Sequence, residues 1–325
     1  MNIHRVSRIL DLALDPRMPY NLIATTLRAR KLRRMMNHAH PHRRHQLFVV
    51  LTYDVEREYG SHRLKGNGAT VPLFLRSMQD AAENATIFVE GSLVEENSEI
   101  LRSLEKKGIE IGLHGYRHEL WGPAQWYLAD KPLTLKRRNS LLDAAIEAFR
   151  SSGLRRPVVF RAPNLAADSS TMLLLLEKGF HVDSSLPAHR GVPPIPQFFG
   201  GPEGLIRIPV TAEPTPSLSR KRIFPYYRYR TCNLKSLKEM RNDELLRYVS
   251  RIAALQEALG FPPHLVIVSH SWEFLNPLID HQDYSYCSPA NFEFLHELVR
   301  ILSENFDEKR VSISTLAEFF KEKIK

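Results

Sequence analysis

Cysteine is scarce in this sequence. Cys232 and Cys287, 55 positions apart and in no CxxC spacing, are the two in 325 residues, which excludes a disulfide framework and a thiolate zinc site. Long apolar runs are missing as well. No stretch of about 18 uncharged apolar residues occurs, as a membrane-crossing helix would need. The opening MNIHRVSRILDLALDP carries Arg5, Arg8 and Asp11 where an export signal needs an unbroken apolar core. The expectation is a cytoplasmic chain with no cleaved signal and no membrane span. Internal repeats are absent, and the only biased segment is HAHPHRRH, whose His38, His40, His42 and His45 read as a solvated linker.

Acidic residues are scarce at the N-terminal end. Residues 1–45 hold ten Arg or Lys against Asp11 and Asp15, a net +8, and the formal charge of the whole chain is +9. Such an arm suits an anionic lipid surface, a phosphate-bearing substrate or nucleic acid, unless it is simply solvated. The expectation is peripheral contact with the inner face of an anionic membrane and no nucleic acid. The arm reads as two short amphipathic helices: Ile3, Val6, Leu10 and Leu14 at helical spacing, then Ile23, Leu27 and Met35 after a break at Pro16 and Pro19.

What remains is rich enough to fold, at 43% hydrophobic and 25% charged. From Gln46 onward, strand-like apolar runs at 47–53, 86–90, 109–113, 158–161, 180–184, 205–210, 264–269 and 310–313 alternate with helical stretches at 70–83, 94–107, 134–152, 168–178, 242–259, 290–304 and 314–323. Repeated β-then-α units predict a parallel sheet, and seven or eight of them a closed or nearly closed barrel. An open doubly wound sheet is the second choice. The division is thus a basic helical extension over 1–45 and a barrel over 46–325, interrupted by an insertion at about 211–240.

In a parallel β/α barrel the reactive groups stand at the carboxyl ends of strands. Here those ends carry Asp54 and Glu56, then His114 and His118, then Arg161 and Asn164, and last His270. Asp54 and Glu56, at i and i+2 on an extended segment, project to one face. His114 and His118, at i and i+4, come together on a helical turn. Two imidazoles and a carboxylate make a three-ligand set with a position open for water, as a catalytic zinc site requires. Arg161 can keep Asp54 ionised, and His270 can act as a general acid.

Taken in order, these segments resemble the polysaccharide deacetylase family, or NodB-homology domain, over roughly residues 47–320. LTYDVE resembles its first motif, LHGYRHE its HxxxH metal motif, FRAPN its arginine motif and VIVSHSWE its last, histidine-bearing motif. The resemblance implies a distorted (β/α)7–8 barrel of the NodB-homology type and metal-assisted removal of an N-acetyl group from an amino sugar in a glycan. It also implies zinc on Glu56, His114 and His118, with Asp54 as base steadied by Arg161, His270 as acid and the Asn164 N–H at the oxyanion. This chain departs from the family in three places. Val55 separates the two carboxylates, Leu165 stands where the family has glycine, and the aspartate that partners the acid histidine has Asp183 as its candidate here.

Within the insertion, SRKRIFPYYRYR interleaves Arg220, Lys221, Arg222, Arg228 and Arg230 with Phe224, Tyr226, Tyr227 and Tyr229. Aromatic faces stack on sugars and guanidiniums grip phosphate, so Tyr227, Arg228 and Trp272 join Asn164 and Asp183 as expected substrate contacts. The expected substrate is a lipid-linked or nucleotide-linked N-acetylated sugar. Competing readings are an amidohydrolase of cyclic amides or imides and an inactive glycan- or nucleic-acid-binding protein.

Overall fold

The computed structural model of the chain describes residues 18–38, 46–57, 70–81, 84–124, 130–186, 192–201, 203–214, 217–219, 226–228, 230–277 and 284–324. Helix α1 (Met18–His38) precedes strand β1 (Gln46–Val55), and β/α alternation follows: α2 (Thr70–Ala81), β2 (Thr86–Val89), α3 (Ser98–Lys106), β3 (Glu110–Leu113), α4 (Leu135–Ser151), β4 (Val159–Phe160), α5 (Ser169–Glu177) and β5 (Val182–Asp183). Four short strands come next, β6 (Gln197–Phe199), β7 (Leu205–Arg207) and the hairpin β8 (Ser217–Ser219) with β9 (Tyr226–Arg228). The chain ends through α6 (Leu234–Lys238), α7 (Asn242–Ala258), β10 (His264–His270), α8 (Asn291–Asn305), β11 (Asp307–Arg310) and α9 (Ile313–Ile324).

The main sheet runs β10–β1–β2–β3–β4–β5–β7–β6, parallel throughout except for β6, and β11 adds to the first half of β1. It curls until the segment beyond β7 meets β10: the Thr211 N–H donates to the Val266 carbonyl at 3.1 Å and the Val268 N–H to Cys232 at 3.0 Å. This is the distorted β/α barrel that the alternation predicts. The helices start where their caps say. Thr134 and Asp168 accept from Arg137 N and Thr171 N at the heads of α4 and α5.

Alternation along β1 divides the core in two. Leu47, Val49, Leu51, Tyr53 and Val55 face outward into the layer beneath the helices, whereas Phe48 and Val50 face the interior with Val159, Val182, Ile206 and Val266. Ile313, Leu316, Ala317 and Phe320 of α9 fill that interior from the end where β1 begins. The inner face of β1 therefore rises from Phe48 and Val50 to Thr52, Asp54 and Glu56, an apolar floor below a polar rim.

Some expectations need correction. The last strand lies at 307–310, not 310–313, because DEKR is a polar edge pairing only the opening residues of β1. Strands β6, β8 and β9 are too short to show as periodic runs. Pro19 does not break the arm but sits in the first turn of one 21-residue helix, where its missing N–H is tolerated. The buried seam of α1 is Ala29, Leu32 and Met36, the last two packing against Leu255, while Ile23 and Leu27 stay exposed. The first half of the arm lies outside the described residues. Among the described residues, no helix is long and apolar enough to cross a membrane.

Candidate active site

Asp54 and Glu56 are both buried, Val55 between them pointing into the outer core. Asp54 pairs in register with His270 across the β1–β10 ladder. Its Oδ1 accepts from Arg161 Nη1 at 2.8 Å. Arg161 is fully buried and spends its other donors on Thr52 Oγ1 (2.7 Å), Ser184 Oγ (2.9 Å) and the Ser184 carbonyl, with the Phe88 ring 4.2 Å from its guanidinium carbon. A planar fork held on three sides fixes the carboxylate it grips.

Glu56 meets the two histidines. Its Oε2 lies 2.9 Å from His118 Nε2 and 3.6 Å from His114 Nε2. Burial alone would raise the Glu56 carboxyl, but His118 and His114 outweigh it and hold it well below the ordinary carboxylate range. No helix brings these histidines together, contrary to the expectation from their spacing. His114 closes β3, the chain turns at Gly115 with φ 65°, and His118 takes φ 60°. A Cβ on Gly115 would come within 2.7 Å of Trp121 Nε1, so both its conformation and its surroundings demand glycine. Glu119 closes the turn by accepting from the N–H groups of Tyr116 and Arg117 at 3.1 and 2.9 Å.

A divalent ion fits this trio. Among the described residues, Glu56, His114 and His118 form a group whose ligand atoms lie within 4.8 Å of one another. Both ring nitrogens of His114 are buried without a hydrogen bond, a costly arrangement that coordination would relieve.

Trp272 and Glu273 complete the rim from the turn after β10. The Trp272 indole N–H donates to Glu56 Oε1 at 2.8 Å, and its ring stacks on His270 with centroids 5.0 Å apart. It is buried between the two groups rather than presented as an open platform for a sugar. Glu273 Oε2 accepts from the His270 N–H at 2.7 Å and lies 3.5 Å from His270 Nδ1, while Oε1 accepts from Tyr286 Oη at 2.7 Å. Burial works against charge on His270, but Glu273, ahead of Glu56 and Asp54, pushes its pKa up to about 9.

Asp183 does not serve as partner to His270. It is fully buried with its carboxylate committed to Ser185 and, at 3.0 Å, to Arg207 Nε, so it braces the loop after β5. The carboxylate beside His270 is Glu273, and the sequence did carry a signal for it: an acidic residue three positions after the end of a strand caps the turn it enters. Asn164, with φ 58°, lies in the Pro163–Leu165 turn, which packs against Gly115. The backbone of Tyr227 and Arg228 forms β9, but their side chains lie outside the described residues, as do residues 220–225 and 229. Glu90, at the end of β2, was not foreseen; burial and then Glu56 raise its pKa to about 8.

Residues 42–182 match the polysaccharide deacetylase family. Over 108 residues the chain is 35% identical to a peptidoglycan deacetylase-like protein, FGM2, of Gibberella zeae, an alignment spanning 33% of this chain and 29% of that relative. Two crystal structures that carry the name polysaccharide deacetylase share the fold. One, from Mycobacterium smegmatis, is 21% identical with a TM-score of 0.54, over 87% of this chain and 93% of its own. The other, from Pseudomonas aeruginosa PAO1, is 16% identical with a TM-score of 0.55, over 87% and 94%.

Proposed function

With the resemblance to the polysaccharide deacetylase family shown over residues 42–182, we propose that this protein is a metal-dependent deacetylase. It hydrolyses the acetamido group of an amino sugar to acetate and a free amine. One observation carries the reading: a buried Glu56–His114–His118 trio stands at the same rim as an Arg161-held Asp54 and a carboxylate-flanked His270. The trio would hold the ion, zinc by the nature of its ligands. When bound, that ion supplies Lewis acidity, bringing a water toward ionisation near neutral pH and polarising the scissile carbonyl.

The rest is done by the chain's own side chains. Asp54, aimed by its bond from Arg161, accepts a proton from the attacking water. His270, protonated at neutral pH by virtue of Glu273, gives a proton to the departing nitrogen as the C–N bond breaks. Trp272 holds the second oxygen of Glu56 so that Oε2 faces the imidazoles. The Asn164 turn, whose Pro163 packs against Gly115, would offer its backbone N–H to the developing oxyanion. Tyr227, Arg228 and the basic residues around them favour a sugar bearing phosphate, whether lipid-linked or nucleotide-linked.

Elemental analysis together with acetate release from N-acetylglucosamine oligomers and from a nucleotide-linked N-acetylated sugar tests this. The expected result is about one divalent ion per chain, lost in the His114→Ala, His118→Ala double variant. Asp54→Asn should keep the ion and lose roughly 10²- to 10⁴-fold in kcat. No ion after zinc is added back to the chelated protein would sink the proposal. Turnover of cyclic imides in place of acetylated sugars would redirect it.

A further inference from the structure

Helix α1 is held by one narrow seam. Ala29, Leu32 and Met36 are buried, and Leu32 and Met36 pack with Leu255 while Met35 and Leu259 lie half-buried beside them. At 3.6 residues per turn, that seam fixes the roll of the helix and hence what it turns outward. Ile23, Leu27, Arg30 and Arg34 recur at i, i+4, i+7 and i+11, a single line on the side away from Leu32 and Met36. All four are exposed, Ile23 by 60% and Leu27 by 58%, and Lys31 is exposed next to them. Five cations, Arg28, Arg30, Lys31, Arg33 and Arg34, stand on α1, whose own sequence contains no Asp or Glu.

Large aliphatic side chains on the outermost line of a strongly cationic helix suit a lipid surface. Isoleucine and leucine at one end of the line can enter the acyl boundary, while guanidinium and ammonium groups along the same face meet headgroup phosphates. A nucleic acid would satisfy the cations and leave Ile23 and Leu27 in water. We propose that α1 is a peripheral membrane element that lies on an anionic lipid surface, with Ile23 and Leu27 inserted and Arg30, Lys31 and Arg34 on the phosphates. The proposal is independent of the chemistry at the barrel rim.

Cosedimentation of the full chain with vesicles of phosphatidylglycerol and phosphatidylcholine, beside vesicles of phosphatidylcholine alone, reads it directly. Binding is expected to require phosphatidylglycerol and to weaken with salt. Ile23→Ser with Leu27→Ser should lower the partition coefficient about tenfold without any change of charge. Arg30→Glu with Arg34→Glu should lower it about a hundredfold. Both variants replace exposed residues and are expected to keep the melting temperature and metal content of the parent chain. The proposal is overturned if the parent chain stays in the supernatant with phosphatidylglycerol at low salt. It is equally overturned if the Ile23→Ser, Leu27→Ser variant binds vesicles as well as the parent, or if the chain shifts random DNA but not vesicles.

Discussion

His270 can carry a proton above neutral pH because carboxylates surround it, and Glu273 is the closest of them at 3.5 Å from Nδ1. Burial lowers its pKa, and Glu273, then Glu56 and Asp54, more than recover the loss, to about 9. If His270 is the acid, kcat/KM falls as pH rises through the imidazole pKa. Glu273→Gln removes the largest raising charge while preserving size, so the descending limb should move down by at least about one pH unit. A limb unmoved in the variant would assign it to another group. The place of His270 at the rim was legible in the sequence because it ends a buried apolar run. Its partner was not, because Asp183 and Glu273 differ only in where loops carry them. Leu165 is a related case: its φ of 51° explains why glycine suits that position, and this chain keeps the turn with a side chain that resists it. The Gly115 turn is not legible for the opposite reason, since i, i+4 spacing describes a helix and a tight turn equally well.

Strand β10 spans the molecule from His264 at its base to His270 at the rim, and its two histidines titrate in opposite senses. His264 is fully buried, with Nε2 3.2 Å from Gln256 and Nδ1 2.9 Å from the Pro262 carbonyl, and its ring packs edge-on against Phe320 of α9. Burial pulls its pKa down to about 4. The unfolded chain therefore binds a proton near pH 6.5 that the folded chain refuses until about pH 4. Stability from this site is full above pH 6.5 and lost as pH falls toward 4, at about 1.4 kcal/mol per pH unit within that window. Urea midpoints measured from pH 4 to 7 should fall more steeply in the parent chain than in His264→Asn. Parallel slopes would mean that His264 is not the group responsible. The strands themselves were readable because parallel strands buried on both faces are continuous apolar runs. Such runs do not say which alternate residues face inward, nor that α9 plugs the barrel. Those facts depend on closure, which no local pattern encodes.

At the scale of the whole molecule, the trio joins parts of the chain that are distant in sequence. Glu56 ends the first strand, His114 and His118 follow the third, and Trp272, after the last long strand, bonds to Glu56 from 216 residues away. An ion on the trio would bind only when β1 and β3 are assembled, so its binding energy would add to folding energy. At a free-ion concentration 100 times Kd the gain is about 2.7 kcal/mol. For a chain of this length that corresponds to a rise in Tm on the order of 5 °C. Chelation should therefore lower the Tm by that amount and added zinc restore it, whereas His114→Ala, His118→Ala should melt at one temperature with or without zinc. The comparison separates coordination from packing. The double variant loses the ion and any contribution the imidazoles make to the empty fold, but only the parent chain can respond to the ion. A parent chain whose Tm is unmoved by complete removal of its metal would mean that the imidazoles and Glu56 hold one another without an ion. The stability of this rim would then belong to the pair at 2.9 Å rather than to coordination.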